Sequence, residues 1–219
     1  MKNKPLSFLF LFLFFLSNCT STYITSRWKS PDIAMHKYNK IMVIGIIREA
    51  DRTLREKMEN HLVNDLKERG LPAFSAYQEY GPKALQNLSE EQVSEKLGKE
   101  GIDAVVTIVL LDKQRERYYV PGRIVYSPYS VYHNRFWGYY RSIYTRIEMP
   151  GYYETSTRYF WECNLYNPQS QKLVYSVQTQ SFDPASVDAL AHEHGKKIVQ
   201  AMIKDGVLLA GGQAIVKAM

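Results

Sequence analysis

The side chains most able to do chemistry are few and poorly placed for catalysis. His192-Glu193-His194 has metal-ligand residue types, but on a helix positions i and i+2 point about 200° apart, so the pair cannot chelate from one face. Lys196 stands where the second histidine of His-Glu-x-x-His would be needed. His194 falls on the apolar side of the helix pattern and His192 on the solvated side. His61 and Asp65 are i, i+4 partners at the rim of another helical stripe. Such a pair orients a side chain more often than it serves a nucleophile. No G-x-S-x-G, P-loop or dinucleotide glycine pattern occurs. The sequence therefore gives no enzyme signal, no cofactor and no metal ligand set.

Binding chemistry is concentrated in residues 118–153. Ten of these 36 residues are Tyr, joined by Phe136 and Trp137, against 13% aromatics in the whole chain. Four arginines accompany them, with Glu148 as the only acid. Tyr and Trp supply flat amphipathic area, and Arg adds cation–π and bidentate contacts. Arg123, Tyr126, Tyr132, Arg135, Trp137, Tyr140 and Arg141 are the candidate contact residues. Such a surface suits a protein partner, glycan rings or a membrane interface. The same residues could instead pack on their own domain, and Pro121, Pro128 and Pro150 oppose one regular strand.

The amino terminus carries Lys2 and Lys4 ahead of Phe8–Leu16, an unbroken Phe/Leu run too short to span a bilayer. Residues 1–18 read as a signal peptide, and Leu16-Ser17-Asn18-Cys19 resembles the lipobox of bacterial lipoproteins. That resemblance implies acylation of Cys19, the mature first residue, and hence a membrane as partner. Two or three acyl chains anchor stably where one does not. Thr20 after the cysteine implies sorting to the outer membrane, facing the periplasm, where nucleic acid is no partner. Loss of residues 1–18 lowers the formal net charge from +6 to +4. The chain has two cysteines, which excludes a disulfide-stapled scaffold, and Cys163 reads as a small buried strand residue.

The positioning elements follow from periodicity. Residues 19–39 are polar and broken by Pro31, and read as a lipidated tether. Residues 40–219 read as a single α/β domain. Ile41–Ile47 and Ala104–Leu111 are continuous apolar runs, as in strands covered on both faces. A helix capped by Asp51 runs to Arg69, with Gly70 beyond it and Leu54, Met58, Leu62 and Leu66 as its stripe. Ala73–Tyr77 is a short strand. Ser89 and Gln92 form a capping box for a second helix. Thr157–Tyr166 and Leu173–Val177 alternate around the turn residues Asn167–Ser170, which predicts an antiparallel hairpin. Asp183-Pro184 starts a last helix with Val187, Leu190, Ala191, Ile198 and Met202 on its apolar face. The expected fold is an α/β sandwich of two or three layers. Its mixed sheet comes from β-α-β-α-β, followed by the hairpin and a carboxy-terminal helix.

Trp28-Lys29-Ser30-Pro31, the strand Lys40–Ile47, Arg69-Gly70-Leu71-Pro72 and Gly101-Ile102-Asp103-Ala104-Val105 resemble a family of small tyrosine-rich bacterial envelope lipoproteins of unknown function. The domain is also broadly similar to the modules of TolB amino-terminal, curli-secretion and penicillin-binding-protein-activator lipoproteins. The chain as a whole reads as a lipid-anchored, non-catalytic binding or adaptor module with the Tyr/Arg-rich insert 118–153 as its contact surface. A glycan- or lipid-binding module is the alternative, and an enzyme with a site assembled from distant residues the third.

Overall fold

A computed structural model describes residues 21–32, 37–48, 52–83, 85, 88–122 and 151–209. It forms a six-stranded mixed sheet with helices on both faces, as the α/β sandwich expectation has it. The strands are β1 (Thr22–Lys29), β2 (Ile41–Ile46), β3 (Ala73–Ser75), β4 (Ala104–Val120), β5 (Tyr152–Asn167) and β6 (Lys172–Phe182). The helices are α1 (Arg52–Glu68), α2 (Ala76–Tyr80), α3 (Glu90–Lys99) and α4 (Val187–Lys204). Strand order is β1-β6-β5-β4-β2-β3.

β2 pairs in parallel with both β3 and β4, so Ile41 stands beside Ala73 on one side and Ala104 on the other. The chain steps outward from β2 to β3 and then back across to β4. With right-handed crossovers this reversal sends α1 and α3 to opposite faces. Burial agrees. Ile41 and Val43 join the core under α1 and α4, with Trp161, Cys163, Leu165, Tyr175 and Val177. Met42 and Val105 point the other way, to a smaller cluster with Leu97 of α3 and Ala76 of α2. The molecule is thus three-layered over β2, β3 and β4. Over β1, β6 and β5 no described helix covers the second face.

Local signals explain the helix ends. Gly70 takes φ 73°, and the N–H groups of Gly70 and Leu71 return to Lys67 and Leu66 carbonyls, closing α1 by a left-handed cap. The capping box of α3 forms as expected: Ser89 Oγ accepts from Gln92 N while Gln92 Oε1 accepts from Ser89 N. Asp51 lies outside the described residues.

Four expectations need correction. Residues 22–29, expected within the tether, form edge strand β1, antiparallel to β6. The expected strand Ala73–Tyr77 stops at Ser75, whose hydroxyl accepts from Gln78 N and starts α2. The cap of α4 is Ser186, accepting from Ala189 N, in place of Asp183-Pro184, where Asp183 takes φ 46°. The strands beside the aromatic insert extend into it, β4 through Val120 and β5 from Tyr152.

The chain divides into two units, one containing the described residues up to Asp112 and from Tyr159, the other Lys113–Arg158.

Candidate binding surfaces

Arg123, Tyr126, Tyr132, Arg135, Trp137, Tyr140, Arg141 and the expected acylation residue Cys19 all lie outside the described residues. The described part of the Lys113–Arg158 unit carries the same chemistry. Tyr118 and Tyr119 on β4 are 47% and 55% exposed, and Tyr152 and Tyr153 on β5 are 60% and 61% exposed. The Arg117 guanidinium lies 4.4 Å from the centroid of the Tyr153 ring, a cation–π distance. Tyr119 and Tyr153 sit 5.3 Å apart, centroid to centroid. Arg158 and Glu116 form an exposed ion pair at 3.4 Å. Rings about half exposed contribute little to a core. Tyr119 and Tyr153, already grouped and with Arg117 over the Tyr153 ring, offer stacking area at low ordering cost.

The His192-Glu193-His194 run separates into three structural roles. His194 is 1% exposed, its Nδ1 3.1 Å from Thr179 Oγ1 and its ring 5.5 Å from that of Trp161. Burial pushes its pKa down to about 3, so it is neutral at physiological pH. Glu193 accepts from Ser21 N at 2.8 Å, Ser21 Oγ at 3.1 Å and Thr22 N at 3.2 Å, fastening the start of β1. His192 is exposed, its ring 5.9 Å from that of His61.

His61 does not take Asp65 as its hydrogen-bonding partner. Its Nε2 lies 3.6 Å from Asp188 Oδ1 of α4, and Lys57 Nζ reaches Asp188 Oδ2 at 2.5 Å. Asp65 Oδ2 is buried without a hydrogen-bond partner, and burial raises its pKa against the opposing pull of His192. Among the described residues no group of three or more His, Cys, Asp or Glu side chains could hold a metal ion. Cys163 is fully buried, and desolvation raises its thiol pKa.

A buried carboxylate escaped the sequence reading. Glu59 on α1 is 0% exposed and saturated with donors: Gly45 N and Arg55 Nε on Oε1, Ser75 Oγ and Tyr77 N on Oε2. The only signal was a Glu beside Met58 on the apolar stripe, four residues after Arg55. With four donors engaged, Glu59 is a structural clamp and has no free lone pair aimed at a substrate.

One groove combines an edge strand with cations. Ile24, Ser26 and Arg27 of β1 and Lys197, Gln200 and Lys204 of α4 line a volume of about 460 Å³. Arg27 pairs with Asp205 at 3.2 Å, and Lys29 Nζ donates to the Asp205 carbonyl at 2.8 Å.

No described helix is long and apolar enough to cross a membrane. No established protein family matches the sequence, and none of the curated proteins does. Similar solved structures include the PelC dodecamer from Paraburkholderia phytofirmans, at 8% identity and TM-score 0.46, covering 81% of this chain and 94% of that one. The lipoprotein GNA1162 from Neisseria meningitidis matches at 14% identity and TM-score 0.42, covering 75% and 98%. The hypothetical protein CT253 from Chlamydia trachomatis matches at 10% identity and TM-score 0.39, covering 76% and 96%. These likenesses bring no substrate or partner to this chain.

Proposed function

We propose that this protein is a lipid-anchored component of the bacterial envelope, held at the outer membrane and facing the periplasm, that works by binding a protein partner through its Tyr/Arg-rich segment. The observation that carries the binding reading is the group Arg117, Tyr119 and Tyr153, next in sequence to the exposed Tyr118 and Tyr152, all on strands that lead into the candidate residues. Aromatic and Arg anchors of this kind dominate binding energy at protein interfaces. The anchoring reading rests on the lipobox-like run ending at Cys19. The resemblance to TolB amino-terminal and penicillin-binding-protein-activator modules accords with an adaptor role.

In-cell crosslinking with mass spectrometry tests the binding claim by comparing the intact chain with a folded form lacking residues 123–150 and with a Tyr119→Ala/Tyr153→Ala variant. A protein partner lost in both altered forms is the expected result; an identical partner list in all three removes the claim. Replacement of Cys19 by Ser is expected to abolish acyl labelling and release the chain from the membrane fraction.

A second reading, glycan binding, is favoured by the second face of the sheet, which no described helix covers over β1, β6 and β5. There Tyr23 Oη donates to Gln180 Oε1 at 2.5 Å, and Glu162 accepts from Gln178 Nε2 at 3.0 Å and Asn164 Nδ2 at 2.8 Å. Trp28, 48% exposed, lies on the same side of β1, in register with Ser176. A flat row of amides and a carboxylate flanked by aromatic rings suits sugar hydroxyls and ring faces. Co-sedimentation with purified peptidoglycan or lipopolysaccharide, lost in Trp28→Ala and insensitive to salt, would favour this reading over the adaptor.

A further inference from the structure

Strand β1 begins three residues after Cys19, which leaves no room for a tether. Ser21 N and Oγ and Thr22 N all donate to Glu193, and Phe182 N donates to the Ser21 carbonyl at 2.8 Å, so the chain is fixed to the domain from residue 21. Two residues reach about 7 Å at most. An acylated Cys19 therefore sets the membrane surface within that distance of the start of β1.

The surface that begins there is suited to a bilayer. The β1–α4 groove opens at Ile24, two residues past Thr22. Its charged lining is cationic: Arg27, Lys197 and Lys204, with Lys29 adjoining. Two acids border it: Glu193, which accepts from Ser21 N and Oγ and from Thr22 N, and Asp205, which pairs with Arg27 and accepts from the Tyr175 hydroxyl. β1 is the last strand on its side of the sheet, so its outer row of backbone groups has no strand partner among the described residues.

We propose that the β1–α4 groove seats anionic lipid headgroups of the membrane that holds Cys19, so that the domain lies along β1 on the bilayer. The inference rests on the acylation of Cys19 proposed above. The headgroup phosphates meet Lys197 and Lys204, and the edge of β1 that no described strand pairs lies at the hydrated headgroup layer.

The test uses the full mature acylated chain in phosphatidylglycerol/phosphatidylcholine vesicles bearing a headgroup-attached quencher. A fluorophore is placed on Thr25→Cys in the groove or on Gln78→Cys in α2. Cys163 is buried, so each variant labels at one place. Gln78 follows β3 at the opposite edge of the sheet, five strand spacings or about 24 Å from β1. The Thr25 probe is expected to be quenched several-fold more than the Gln78 probe. Lys197→Gln/Lys204→Gln is expected to bring it toward the Gln78 value. For the unacylated Cys19→Ser chain, the same double change is expected to weaken partition onto phosphatidylglycerol vesicles about 25-fold, at about fivefold per surface lysine. Equal quenching at the two positions overturns the proposal, as does Thr25 quenching that persists unchanged in the double variant or in pure phosphatidylcholine. Acyl labelling is read on the same samples. A chain without label removes the lipid anchor itself, whereas a labelled chain with equal quenching removes only the headgroup seat.

Discussion

The backbone N–H of Gly45, inside central strand β2, donates to Glu59 Oε1 of helix α1 across 2.8 Å. Through its other contacts the same carboxylate holds Ser75 at the end of β3 and Tyr77 in α2. One buried acid thus fixes the spacing of two strands and two helices. The approach is close enough that a Cβ on residue 45 would lie 2.9 Å from Arg55 Cγ and 3.2 Å from Glu59 Oε1.

Two substitutions probe this clamp. Glu59→Ala leaves the Arg55 guanidinium and three other donors without their acceptor, and is expected to cost about 3–5 kcal/mol. Gly45→Ala forces Arg55 and Glu59 aside and is expected to cost about 1–3 kcal/mol. Urea denaturation measures both. A loss below about 1 kcal/mol for Glu59→Ala would show that the carboxylate does not hold these elements together.

Most of the fold was legible because its central elements carry their own signals: Ile41–Gly45 and Ala104–Ile108 are apolar on both faces, and Ser89-x-x-Gln92 caps itself. β1 was not legible. Thr22–Lys29 is mostly exposed, and its strand conformation comes from pairing with β6 and from Glu193, 171 residues away in sequence. Glu59 was missed for a related reason: besides Arg55, one turn earlier in α1, its partners are two backbone N–H groups and a serine brought in by tertiary structure, which the Arg55 spacing does not announce. Of the Tyr/Arg-rich segment, Tyr118, Tyr119, Tyr152 and Tyr153 are described and exposed, while the seven candidate contact residues lie outside the described residues. The β1–α4 groove was invisible, because Arg27 and Lys197 meet only once β1 docks beside α4.

Burial of His194 makes stability pH-dependent with a definite sign. Its pKa falls from 6.5 to about 3 on folding. Between those values the unfolded chain binds a proton that the folded chain does not, so stability falls as pH is lowered, by up to about 1.4 kcal/mol per pH unit. Above pH 6.5 the group adds no slope. His194→Leu is expected to flatten the fall in stability between pH 6 and pH 4, read from urea midpoints. A slope parallel to that of the intact chain would show that another group controls the acid limb.

Asp65 works in the opposite sense. Burial raises its pKa, so its contribution is fully present below the ordinary carboxylate value and is lost as pH rises through the folded value. Asp65→Asn is expected to raise Tm at pH 8, with the gain shrinking toward pH 4. A uniform change in Tm across that range would assign the effect to packing and not to charge.

The Cys163 thiol is expected to be inert while the protein is folded, since it is fully enclosed and its pKa is raised by desolvation. In the Cys19→Ser chain an aromatic disulfide reagent should consume no thiol in buffer and one per chain in urea. Reaction in buffer would mean that β5 opens locally without global unfolding.

Gly195→Ala sets two effects of known size against each other. Inside a helix, alanine is favoured over glycine by about 1 kcal/mol. At this position, however, the new Cβ would lie 2.4 Å from Asp65 Oδ2 and 3.3 Å from the backbone Cα and N of Leu62. The carboxylate can rotate away, but the α1 backbone cannot move without separating Leu62 and Leu66 from Leu190, Ile198 and Met202 in the core. The backbone contact therefore decides the sign, and the variant is expected to lose about 1–3 kcal/mol as an overpacked interface. Asp65→Ala in the same chain should recover only the part due to the carboxylate. Thermal unfolding of the single and double variants separates the two terms; a rise in Tm for Gly195→Ala alone would show that α1 and α4 yield freely where Gly195 meets Leu62.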